Sequence, residues 1–88
     1  MIERKVQNMN KQERHVIEDE INRLIDRMDR REIRQERWAK EGDAERVRLC
    51  KRNDMRDMAK LDGIDFVLNY LGYRRKYENG RNVLYKVG

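Results

Sequence analysis

The chain has 88 residues, 44% of them charged and 38% apolar, with a formal net charge of +5. That length allows one domain, residues 1–88, whose core supplies only marginal stability. Serine, threonine and proline are absent and there is one histidine and one cysteine, which excludes a serine or threonine nucleophile, a P-loop and a four-ligand zinc site.

The missing chemistry predicts a chain that is not an enzyme and that uses no cofactor and no metal. His15 reads as a solvated side chain near a helix start, and Cys50 as a small core residue at helical spacing from Val47. A single cysteine forms no internal disulfide, no run of 18 apolar residues is present, and Met1–Lys5 lacks the apolar stretch of a secretory signal. A cytoplasmic setting without membrane contact is the expectation.

Residues 1–10 are expected to be a flexible N-terminus. Asn10 followed three residues later by Glu13 has the form of a capping box and opens a first helix, residues 11–41. Ile17, Ile21, Leu24, Ile25 and Met28 then recur at steps of three and four, which is a helix period. Arg31 and Gln35 interrupt that stripe before Trp38 and Ala39 resume it, and Gly42 ends the helix.

Asp43 can cap a second helix, residues 43–71, and so short a connection makes the two helices antiparallel neighbours. One face of the second helix carries Ala44, Val47, Cys50, Met58 and Leu61, with Asp54 interrupting it. Asp62 and Asp65 around Gly63 allow a kink or a fresh start. The following run, Ile64–Leu71, is apolar on several sides and is expected to be the most buried segment, with Phe66 and Leu68 as its anchors and Trp38 mattering less.

Residues 73–87 change to strand character around Asn79-Gly80, the strongest short hairpin signal. A two-residue turn would put Val83, Tyr85 and Val87 on one side with Arg74 and Lys76. A three-residue bulged turn gathers Tyr73, Tyr77, Val83, Tyr85 and Val87 on a buried face and leaves Arg74, Lys76, Asn82 and Lys86 outside, so the bulged turn is preferred. A lone hairpin is marginal in water, so it is expected to lie against the 64–71 helix. The fold class is mainly α: a long antiparallel helical hairpin, its second helix broken or continuous at Gly63, followed by a two-stranded β-hairpin.

The charge is uneven. Residues 73–88 hold Arg74, Arg75, Lys76, Arg81 and Lys86 against Glu78 alone. On the first helix Arg23, Arg27, Arg30, Arg34 and Arg37 form one stripe beside the apolar face. Its preferred reading is the charged border of a coiled-coil-like seam, and the sharper one is a ridge for phosphates or a partner's carboxylates. For the hairpin cations, protection of an exposed strand edge is weighed against contact with an acidic partner. These ten cations are the candidate partner-binding residues.

The short, charged chain with a helix pair, a small hairpin and no cofactor signature is similar in style to orphan proteins of phages and other mobile elements. Many of those inhibit or redirect a host protein, anti-CRISPR proteins among them. The resemblance implies a small regulator or inhibitor that binds a protein partner, one with an acidic surface or one that itself binds nucleic acid. The alternative is a basic nucleic-acid-binding accessory protein that uses the C-terminal hairpin. A homodimer or higher oligomer is also expected, because the thin stripe of Ile17, Ile21, Leu24 and Met28 buries little alone and two helical hairpins could pair into a four-helix bundle.

Overall fold

The computed structural model describes residues 9–87. It is mainly helical (72%) and comprises α1 (Lys11–Lys40), α2 (Ala44–Tyr70), β1 (Tyr73–Glu78) and β2 (Arg81–Lys86). Of the expected flexible N-terminus, residues 1–8 lie outside the described residues. Met9 and Asn10 are held in place: the Met9 amide donates to Tyr73 Oη at 2.9 Å, and Asn10 caps α1. The cap is reciprocal, with the Glu13 amide donating to Asn10 Oδ1 at 2.8 Å and the Asn10 amide to Glu13 Oε1 at 3.1 Å.

At the other end of α1 the Asp43 amide donates to Trp38 O and the Gly42 amide to Ala39 O. This six-to-one and five-to-two pairing needs a left-handed residue, which Gly42 supplies at φ +77°. Asp43 turns at once into the N-cap of α2, accepting from the Arg46 amide, so the two helices fold back on each other. α2 runs unbroken through Gly63. A break there would take Leu68 out of line with Leu61, and both are buried in the same core.

The core consists of Ile21, Leu24, Cys50, Leu61, Leu68, Tyr73 and Leu84. Within Ile64–Leu71 the burial is one-sided, contrary to expectation: Leu68 is 3% exposed, whereas Phe66 is 74% and Tyr70 81% exposed. α1 and the hairpin both pack on the Leu61–Leu68 side of α2, so none of the described residues covers the opposite side. Met58 and Ala44 are likewise exposed rather than part of the inner face.

The hairpin turn is the two-residue form, not the bulged one. Glu78 pairs with Arg81, and Asn79 and Gly80 both have positive φ, at 53° and 81°, as a type I′ turn requires. Tyr73, Arg75, Asn82 and Leu84 therefore face inward, Tyr77, Tyr85 and Val87 are exposed, and Lys86 shares the inner face with its head at the rim. The preference for a bulge rests on the premise that only apolar side chains can face inward. Here the inward polar groups have partners, which removes that constraint.

Those partners also dock the hairpin on α1. The Asn22 side chain accepts from the Asn82 amide at 2.8 Å and donates to the Asn82 carbonyl at 2.9 Å, as the peptide of a neighbouring strand would. One turn earlier, Glu18 Oε2 accepts from the buried Leu84 amide at 2.7 Å. The β2 edge is thus closed by helix side chains, and the hairpin leans on α1 as well as α2. Asn22→Ala should lower stability by about 1–3 kcal/mol for each Asn82 group left buried and unpaired, measured by urea unfolding. A loss below about 0.5 kcal/mol, the size of an ordinary surface substitution, would refute this docking role.

Candidate partner-binding surface

The hairpin cations are mostly engaged within the chain. Arg75 donates Nε and Nη2 to Asp65 at 2.9 and 3.1 Å and Nη1 to Asn82. Arg81 reaches Asp19 on α1 at 2.9 Å, and Lys86 donates to Leu71 O while its ammonium sits 4.7 Å from the Tyr73 ring centre. Arg74 bonds the neutral Asn69 side chain, and Lys76 lies between Glu78 and the Tyr85 ring. The outer strand face therefore presents Arg74, Lys76 and Arg81. Arg75 and Lys86 are on the other face, so the five do not form one patch.

The α1 arginines divide similarly. Arg23 pairs with Glu20, Arg30 with Asp26, and Arg27 forks onto Asp57 of α2 at 3.1 and 2.6 Å. Arg34 and Arg37 are exposed and form no ion pair among the described residues. Arg31, the interruption in the α1 stripe, is buried and bonds Asp54 at 2.6 Å and Asp57 at 2.8 Å. Burial pushes the Asp57 carboxyl up, but the hydrogen bonds from Arg27 and Arg31 outweigh it and hold the group below its ordinary range.

Sequence reasoning missed the face of the helix pair that lies away from the hairpin. There Val16 and Ile17 of α1 and Gly63, Ile64, Val67 and Leu71 of α2 line an apolar groove of about 520 Å³. Glu20 and Lys60 close one end, bridged at 3.0 Å, and Arg23 holds the same carboxylate. The hydrogen bonds from Arg23 and Lys60 bring the Glu20 carboxyl down to about 2. One turn further along both helices, Arg27 and Arg56 line the next hollow together with Asn53. Asp57 lines that hollow too and holds Arg27, which leaves Arg56 as its guanidinium without an ion pair among the described residues.

No protein-family model, curated protein or solved structure matches the chain. Among the described residues no group of His, Cys, Asp and Glu side chains is arranged to hold a metal ion, and no helix is long and apolar enough to cross a membrane. The signal for the missed face was present in the spacing. Val16, Glu20, Arg23 and Arg27 follow one another at steps of four, three and four, beside the core stripe rather than in it.

Proposed function

We propose that the chain is a small binding protein, a regulator or inhibitor that acts by protein–protein contact, and that it takes an acidic amphipathic helix of its partner on the face away from the hairpin. The observation that carries this reading is the open groove of Val16, Gly63 and Val67. It runs past the Glu20–Lys60 bridge and the Asp57-bound Arg27 to Arg56, which is exposed and forms no ion pair among the described residues. A helix laid along two antiparallel helices anchors apolar residues at steps of three and four, and an acidic residue beyond them would meet Arg56.

The test is a comparison of variants. Partners captured by the tagged chain from its native cells are identified, and their affinity is measured by titration calorimetry. Val67→Glu should weaken a true partner roughly tenfold or more, since burying one valine contributes about 1.5–3 kcal/mol. Arg56→Glu should weaken it in a salt-dependent way, and the Arg74→Glu, Lys76→Glu pair should leave it unchanged.

One observation favours the second reading, a nucleic-acid-binding accessory protein. Arg74, Lys76 and Arg81 share the outer strand face with Tyr85. On that reading the Arg74→Glu, Lys76→Glu pair removes binding while Val67→Glu does not, and the captured material absorbs at 260 nm. The dependence of log affinity on log salt then flattens by about 0.7–0.9 for each phosphate that is no longer neutralised.

A further inference from the structure

The α1 stripe that suggested self-association is spent inside the chain, with Ile21 and Leu24 fully buried and Ile17 and Met28 packed on the same core. α2, however, carries a second stripe directly opposite its core side. Arg48, Arg52, Met55, Ala59, Gly63, Phe66 and Tyr70 fall within roughly 80° of its circumference at 100° per residue, and all seven are exposed. The core positions Cys50, Asp57, Leu61 and Leu68 lie about 180° away by the same count.

The stripe is symmetric about Ala59. Its steps are four, three, four, four, three and four, so Met55 and Gly63, Arg52 and Phe66, and Arg48 and Tyr70 stand at equal distances on either side. Laid antiparallel on a copy of itself about a two-fold axis at Ala59, the stripe sets alanine on alanine and Met55 over Gly63. Each guanidinium then meets an aromatic ring, Arg52 over Phe66 and Arg48 over Tyr70, a pairing with its own attraction. Among the described residues, nothing beyond its own stretch of helix lies within 4 Å of where a Gly63 side chain would begin, so the hollow for Met55 is open.

Charge selects the same arrangement. On and beside the stripe, residues 44–56 expose Arg48, Lys51, Arg52 and Arg56 against Glu45, and residues 57–70 expose Asp62. Asp57 is buried on the core side and Asp65 is bonded to Arg75. An antiparallel copy puts unlike halves together, whereas a parallel one would stack Arg48 on Arg48 and Arg52 on Arg52. We infer that two copies of this chain pair through the outer face of α2, antiparallel, with the two-fold axis at Ala59, a closed isologous contact. The surface is distinct from the groove proposed for the partner helix, although Gly63 borders both.

Cysteine scanning tests it. The wild-type chain, whose single Cys50 is buried on the opposite side, should not cross-link under mild oxidation. Ala59→Cys should give a disulfide dimer of twice 10.9 kDa. Met55→Cys alone should not, because its two copies would lie about 12 Å apart along the axis, beyond disulfide reach. Met55→Cys mixed with Gly63→Cys should cross-link. Without oxidant, Ala59→Glu should convert a dimer seen by light scattering to monomer with its helicity unchanged. Failure of Ala59→Cys to cross-link beyond wild type would overturn the inference, as would Met55→Cys cross-linking alone as well as Ala59→Cys does.

Discussion

Asp57→Ala should lower stability by about 3–5 kcal/mol, the cost of stranding a buried charge. Asp57 is 4% exposed and takes hydrogen bonds from Arg27 and Arg31 together. Without it Arg31, itself buried, keeps only Asp54. Replacing both members of the pair, as in Arg31→Met with Asp57→Leu, should fall close to wild type, because well-packed apolar residues substitute for a buried ion pair. The Asp57 carboxyl is lower in the folded chain than in the unfolded one, so its contribution is present at neutral pH and above. It is lost as pH falls through the depressed value, and Glu20 adds to the loss on the way down to about 2. Urea unfolding at neutral pH and in acid checks both statements: the wild type should lose stability in acid, and Asp57→Ala should lose less.

Tyr73→Ala should cost about 3–5 kcal/mol and Phe66→Ala no more than about 0.5 kcal/mol, each read by urea unfolding at a concentration where the chain is monomeric. Tyr73 is 2% exposed, belongs to the main core cluster and accepts the Met9 amide on its hydroxyl. Its truncation opens a cavity and frees both chain ends of the core. Phe66 has most of its ring in solvent. The reverse order of effects would mean that the core lies on the other side of α2.

The helices were legible because their ends are chemically marked. Asn10 with Glu13, Gly42 with Asp43, and the three- and four-residue steps of Ile17–Met28 each have a local cause. The register of the helix pair was not read from the sequence, although its signal was there in residues that look like defects. Arg31 interrupts one stripe and Asp54 the other, within one residue of equal distance from the turn, and they meet at 2.6 Å. The hairpin faces were not legible from alternation, because their inward Arg75 and Asn82 depend on Asp65 and Asn22, which are distant in sequence. The outer stripe of α2 escapes a sequence reading for a related reason. A run that is apolar all round looks like a buried helix, and periodicity alone does not say whether a second chain or the chain's own core lies on each side.

The hairpin covers only one end of a body 59 Å long. Beyond Arg31 and Asp54 the helix pair buries Cys50, half-buries Trp38 and Val47, and leaves Ile33 and Leu49 in solvent. The free energy of local opening should therefore be graded along the long axis, lower toward the Gly42 turn and rising to the global value around Tyr73, as amide hydrogen exchange would read. In burial, the molecule is a well-packed head on a thinly packed stalk. The stalk is expected to fray and reclose many times while the head, where the Val16–Val67 groove lies, keeps its shape.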